Sequence, residues 1–295
     1  MIKLIQAAIA PILWGTTYIV TTELLPDYGP LTVALFRALP IGIVLMLVYG
    51  KLPEKIWWWR SFVLGGLNIG IFFALLFVAT YRLPGGVAAT IGAIQPLLVI
   101  LLAWFLFKQR PLPLVLAASA LGIIGVGMLV LGPTAQLDLI GIIAALAGAL
   151  SMAAGVALTK YWGRPVSLIV FTGWQLTAGG IILMPFAFIF EYQMMQAPTL
   201  TNLVGFGWLA LLNTGLGYAL WFRGIEQLQV WQVSFLGLLS PIVAIFAGYL
   251  ILNQTLSNIQ IIGIVLTFTS ILVAQKIANR RRSMVKLPYI ATEAN

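Results

Sequence analysis

The chain of 295 residues is 61% hydrophobic and only 8% charged, with a mean hydropathy of +1.06. Soluble domains run near 45–50% apolar and about 25% charged, so a soluble enzyme is excluded. The absence of Cys and His also excludes disulfides, thiolate catalysis, iron–sulfur clusters and the usual imidazole metal ligand.

A membrane-spanning helix needs roughly 20 apolar residues, and ten such segments follow one another along the chain. They cover 4–22, 31–49, 61–79, 87–107, 114–131, 139–158, 167–190, 204–222, 231–251 and 258–276. Polar and turn residues separate them, beginning with Glu23 to Pro30 and Gly50 to Arg60. The first segment has the length of a secretory signal, but Pro11, Trp14 and the lack of a small-residue cleavage site oppose that reading. The expected fold is an all-α integral membrane protein of ten transmembrane helices.

The net charge of +9 is an orientation signal. With the N-terminus inside, Lys3, Lys51, Lys55, Arg60, Lys108, Arg110, Lys160, Arg164 and Arg223 all fall in inner segments. Lys276, Arg280, Arg281, Arg282 and Lys286 join them near the C-terminus, so fourteen of the sixteen basic residues lie inside. Only Arg82 falls in an outer loop, and Arg37 lies within a span. This is the bias of the positive-inside rule. It predicts a multi-pass protein of the cell inner (plasma) membrane with both termini cytoplasmic. Membrane lipid, not nucleic acid, is the expected partner of the basic tail.

A shift of 145 residues lays Asn68-x-Gly70-x-x-x-Ala74-Leu75-x-Phe77 on Asn213-x-Gly215-x-x-x-Ala219-Leu220-x-Phe222. Without a gap, Leu83, Gly92, Pro96, Ile100 and Gln109 then meet Leu228, Gly237, Pro241, Ile245 and Gln254. The chain therefore divides into five-helix halves at 1–135 and 136–278, with a basic cytoplasmic tail at 279–295. An odd number of spans per half makes the second half insert upside down. Such inverted repeats underlie alternating access in secondary transporters.

Polar and irregular groups within apolar spans are the candidates for function, because each needs a partner, water or substrate. Asn68 and Asn213 are repeat mates that can hold an amino or carboxylate group, or tie helices together. Gln95-Pro96 and Ser240-Pro241 are also mates. Each proline crowds the carbonyl four residues back, at Gly92 and Gly237, so these positions predict kinks that line an aqueous space. Trp14 and Tyr18, four residues apart, share one helix face, and Tyr218 sits deep in its span. Arg37 lies about 10 Å inside the second span, where it can pair with Glu23 or Asp27 or bind a substrate carboxylate. Trp57-Trp58-Trp59 reads as an interfacial anchor. The small-residue stripes Gly66-x-x-x-Gly70, Gly148-x-x-Ser151-x-x-x-Gly155 and Gly122-x-x-Gly125 read as packing faces. Asn253-Gln254-Thr255 matches a glycosylation sequon, a pattern too short to carry weight.

The two halves resemble the paired EamA domains of the drug/metabolite transporter (DMT) superfamily over about residues 1–278. The resemblance rests on Trp14-Gly15, Arg37, and the Gly92-x-x-x-Pro96 and Gly237-x-x-x-Pro241 turns. The stretch Tyr81-Arg82-Leu83-Pro84-Gly85-Gly86-Val87 resembles the pigment-exporter, PecM-like branch. Where family members often carry Glu after spans four and nine, this chain has Gln109 and Gln254. The resemblance implies a central cavity between spans one, three, four, six, eight and nine. Trp14, Tyr18, Asn68, Gln95, Asn213 and Tyr218 are its expected substrate-binding residues. Arg37, Gly92, Pro96, Gly237 and Pro241 are the expected structural or gating residues.

The expected function is export or exchange of small organic metabolites, such as amino acids and aromatic or other neutral or zwitterionic compounds. No cofactor, metal or catalytic residue is expected, and the protein is expected to work as a homodimer or a monomer. The alternative is a proton-coupled multidrug efflux carrier. It is disfavoured because Glu23, Asp27, Asp138 and Glu191 lie near the outer face and Glu54, Glu226 and Glu293 inside. An intramembrane enzyme, the alternative of another class, lacks a nucleophile–base pair or paired carboxylates within any span.

Overall fold

A computed structural model of the chain describes residues 2–82, 91–108, 110–130, 138–253 and 255–290. The side chains of residues 18, 77, 80, 81, 130, 194 and 281–290 fall outside that description. Gln109, Gln254 and most of the Tyr81–Val87 stretch lie outside the described residues too. The described residues are almost all helical and contain no strand.

In chain order the helices are α1 (Ile2–Gly15), α2 (Thr17–Leu24), α3 (Pro30–Tyr49), α4 (Ile56–Gly65) and α5 (Ile71–Arg82). There follow α6 (Gln95–Phe107), α7 (Pro113–Val130), α8 (Leu139–Trp162), α9 (Leu168–Glu191) and α10 (Leu200–Gly207). The last are α11 (Gly217–Gln227), α12 (Val230–Leu236), α13 (Leu239–Ile251) and α14 (Asn258–Ile290). Continuous helical runs join several of these, and eight are long and apolar enough to cross a membrane. The expected fourth and fifth spans appear as the shorter apolar helices Gln95–Phe107 and Pro113–Leu129. The third span starts at Ile56, earlier than the apolar pattern indicates, because Trp57 to Arg60 continue the helix. The final helix likewise runs past residue 278 to Ile290, as Arg, Lys and Met are good helix formers once no apolar face is needed.

The first span is two helices. The Thr16 backbone N–H bonds the Leu13 carbonyl at 3.0 Å, and the Thr16 hydroxyl donates to the same oxygen at 2.7 Å. That tight turn interrupts the α-helical ladder. Two wider turns occur at repeat-mated places, with π-helix over Gly66–Gly70 between α4 and α5 and over Trp208–Leu216 between α10 and α11. Asn68 and Asn213 each sit inside one of them.

Close approach of helices depends on glycine at a few crossings. A Cβ on Gly42 of α3 would lie 2.6 Å from the Thr177 backbone nitrogen, and one on Gly180 of α9 would lie 2.6 Å from the Leu39 Cβ. On α7 a Cβ at Gly125 would lie 2.6 Å from the Thr267 hydroxyl of α14. These pairs, α3 with α9 and α7 with α14, are the most extensive helix contacts in the protein. α5 packs on α8 as α11 packs on α1, and α6 packs on α8 as α13 packs on α1. These principal contacts thus exchange with one another when residues 1–135 are swapped with 136–278.

The two ends of the bundle differ. At one end Tyr28 donates to the Gln196 carbonyl at 3.1 Å, and Asn202 Nδ2 donates to the Leu24 carbonyl at 2.8 Å. There the carboxylate of Glu191 accepts from the Leu31 and Thr32 backbone N–H groups at 2.9 and 2.7 Å and from the Thr32 hydroxyl at 2.8 Å. A buried anion so caps the start of α3, where the helix dipole favours it. The opposite end carries Lys51, Lys160 and Arg164. Lys160 donates to the Glu226 carbonyl, and Arg164 pairs with the Glu226 carboxylate at 3.1 Å. Trp58 and Trp59 are exposed there, as interfacial anchors require.

Candidate functional site

The three helix breaks in spans one, four and nine surround one cavity of about 1140 Å³. Trp14, Thr17 and Thr21 line it from the first span and Arg37 from α3. Gly92, Gln95 and Pro96 face Ser234, Gly237, Ser240 and Pro241 across it. Its mouth lies at the end of the bundle that holds Pro26, Tyr28 and Pro30, with Gln260 on the rim. Sites for drug-sized ligands occupy about 300–1,000 Å³, so a small organic molecule fits with water beside it.

Three-residue turns mark both kinks. The Ile94 N–H bonds the Ile91 carbonyl at 3.1 Å, and the Gly237 and Leu238 N–H groups bond Ser234 and Phe235 at 3.1 and 3.2 Å. The Gly237 carbonyl, which Pro241 denies its usual α-helical donor, accepts from the Ser240 N–H at 3.1 Å. The break is thus closed by three-residue turns within the helix. Gln95 opens the new helix after its turn, and its buried Nε2 has no hydrogen-bond partner among the described residues.

Below the cavity lies a block of aromatic rings. The Trp14 ring sits 5.1 Å from that of Tyr218 and 5.0 Å from that of Trp221, centroid to centroid. The latter two are buried at 2% and 1% exposure. Tyr218 continues to Phe222 at 5.7 Å, Phe222 to Phe171 at 5.8 Å, and Phe171 to Trp57 at 6.1 Å. This chain of rings runs from the cavity floor to the basic end of the bundle, where Arg60 lies 5.1 Å over Trp57. Contacts at 4.5–7 Å between centroids are favourable for aromatic pairs. The cavity is therefore open at one end and closed by packed rings at the other.

Of the expected substrate-binding residues, Trp14 and Gln95 line the cavity. Asn68, Asn213 and Tyr218 lie behind its wall and are nearly or fully buried. Asn68 Nδ2 donates to Gln175 Oε1 at 2.8 Å and to the Thr159 hydroxyl at 3.3 Å. The Tyr218 hydroxyl donates to the Asn68 carbonyl at 3.1 Å. Asn213 Nδ2 donates to the Thr17 hydroxyl at 2.9 Å. Tyr18 lies in α2, and its side chain is outside the described residues. The expected structural or gating residues Arg37, Gly92, Pro96, Gly237 and Pro241 all line the cavity. Arg37 pairs with neither Glu23 nor Asp27, which are exposed. Its Nε donates to the Thr214 hydroxyl at 2.8 Å, and its Cζ lies 5.0 Å over the Phe73 ring. Thr17 and Thr21 escape notice in the sequence, although their four-residue spacing puts two hydroxyls on one helix face.

The sequence profile of the EamA-like transporter family matches residues 1–131 and 139–275. The chain belongs to the EamA-like transporter family. It is 47% identical over 281 residues to Protein PecM of Dickeya dadantii (strain 3937), covering 94% of each chain. It is 26% identical over 289 residues to a protein of Escherichia coli (strain K12) named "Probable amino-acid metabolite efflux pump", covering 90% of this chain and 92% of that one. A protein of known crystal structure with 20% identity superposes with a TM-score of 0.80, over 94% of this chain and 98% of that one. That likeness shows the same fold. As an EamA protein the chain is a multi-pass membrane transporter in the DMT superfamily, and small molecules are its substrates.

Proposed function

We propose that this EamA protein exports or exchanges small organic metabolites across the cell inner membrane by alternating access. The one observation that carries the reading is the cavity open at one end and sealed at the other by the ring chain from Trp14 to Trp57. A channel needs a continuous path, whereas a carrier needs one gate shut while the other is open.

In this reading the ten spans form two inverted repeats at 1–135 and 136–278. The contact pattern that survives exchange of the halves supports it, as do the family matches at 1–131 and 139–275. Both termini and the basic end of the bundle face the cytoplasm by the positive-inside rule, so the open cavity faces outward. The mated breaks at Gly92–Pro96 and Gly237–Pro241, with the π-helical turns around Asn68 and Asn213, supply the joints. Such turns are frequent at functional sites. Trp14 and Gln95 contact the cargo, and Asn68, Asn213 and Tyr218 hold the moving helices in register behind them. The name of the Escherichia coli relative, an amino-acid metabolite efflux pump, agrees with a metabolite cargo.

A proton-coupled multidrug carrier is the weaker reading. Among the described residues that line the cavity, none is a carboxylate able to carry a proton or offset an organic cation.

Purified protein in liposomes tests the proposal. Labelled aromatic and aliphatic amino acids should enter with saturable rates, and unlabelled solute on the far side should accelerate them. Linear, unsaturable flux without that acceleration would point to a channel.

A further inference from the structure

The cavity's charge inventory is one-sided. Among its described lining residues the only ionisable side chains are Arg37 and Tyr28, and Arg37 is the only one charged at neutral pH. Arg37 is 5% exposed, and its Nε is bonded to the Thr214 hydroxyl at 2.8 Å. A guanidinium has five N–H donors in a fixed fork and no acceptor. Nε spends one of them, and the other four have no hydrogen-bond partner among the described residues. The Phe73 ring, 5.0 Å from Cζ, supports one side of the fork without using its donors. A second unspent donor is Gln95 Nε2, which is buried and likewise has no partner among the described residues. Thr17, whose oxygen accepts from Asn213 Nδ2 at 2.9 Å, keeps its own hydroxyl proton to donate. Three side chains from different spans thus present donors to one space, and no anionic side chain among the described lining residues answers them.

A charged group within the membrane is costly without a partner. Its planar fork matches the two oxygens of a carboxylate better than any single acceptor. We infer that Arg37 is the cargo-recognition residue, and that it selects metabolites bearing a carboxylate, whose apolar or aromatic body then lies on Trp14. The inference rests on the transport reading above and narrows it. Zwitterionic amino acids and simple organic acids qualify, whereas amines and carboxamides of the same shape do not.

The test uses four compounds sharing one ring: phenylacetate, L-phenylalanine, L-phenylalaninamide and phenethylamine. Thermal stabilisation of the detergent-purified full chain is measured over a concentration series, with uptake into liposomes measured in parallel. Phenylacetate and phenylalanine should stabilise the protein, and at least about 10-fold more of the amide or amine should be needed for the same shift. A site built to bond a charged group discriminates by at least this factor, since 1.4 kcal/mol is tenfold. Arg37→Lys keeps the charge and loses the fork, and should narrow the carboxylate-to-amide ratio. Arg37→Gln should abolish it. Equal stabilisation by the amide, or by no member of the series, would overturn the inference, and the wild-type protein alone is enough to show this if the variants fail to fold. Saturable uptake of the amide at the same rate would reject Arg37 as selector while leaving the carrier reading intact.

Discussion

The indole N–H of Trp14 donates to the backbone carbonyl of Asn213 at 2.8 Å. That bond joins the last turn of α1 to the π-helical turn of the eighth span, and the indole ring meanwhile forms part of the cavity lining and its aromatic floor. Cavity wall, ring floor and irregular backbone therefore meet in one side chain. Trp14→Phe keeps most of the ring and removes the donor, leaving the Asn213 carbonyl to find another partner. The expected cost is about 1 kcal/mol of stability, read as a lower thermal midpoint in detergent, together with reduced transport.

Asn68 ties its own span to three others, through Gln175, Thr159 and the Tyr218 hydroxyl. Asn68→Ala should therefore lower stability by about 1–3 kcal/mol, since it leaves Gln175 buried and short of a partner. Half-saturation for cargo should stay near the wild-type value in whatever protein survives. A large rise in half-saturation at full stability would instead place Asn68 against the cargo.

How far the sequence was legible varies from residue to residue. Apolar length and the loop charges outline the helical segments, because lipid demands long apolar runs whatever the tertiary arrangement. Arg37, Gln95 and the Gly–Pro mates stand out since polar or helix-breaking groups are rare in such runs, and all of them line the cavity. What Arg37 touches was not legible. Thr214 is 177 positions away and as unremarkable as any threonine, and it lies closer than the acidic loop residues that charge alone would choose. The Asn68 site hides for the same reason, because Gln175 becomes its partner only when α9 packs on the π-helical turn. The break at Thr16 depends on a hydroxyl bond within one turn, a local choice that hydropathy does not register.

Glu191 caps α3 with three hydrogen bonds from a buried position. Glu191→Gln retains the shape and loses the charge facing the helix N-terminus. A loss of about 1 kcal/mol is expected, detectable as a lower melting temperature. Gly29→Ala should act in the same direction, as its Cβ would overlap the Glu191 carboxylate.

Gly125 on α7 faces Thr267 on α14 with no room for a side chain. Gly125→Val should cost about 1–3 kcal/mol through overpacking and reduce the yield of folded protein. Gly50, where nothing lies within 4 Å of an added Cβ, is the contrasting position. Its φ of 59° strains any other residue, so Gly50→Asn should be milder than Gly50→Val.

Side-specific labelling tests the central claim, a cavity open outward and sealed inward, most directly. The natural chain contains no Cys, so single replacements report cleanly. Thr17→Cys lies in the cavity and Phe222→Cys below the Trp14–Tyr218 floor. A membrane-impermeant thiol reagent added outside should modify Thr17→Cys in resting vesicles and leave Phe222→Cys untouched. Modification of Phe222→Cys from outside at a comparable rate, or of Thr17→Cys only from the cytoplasmic side, would contradict the account.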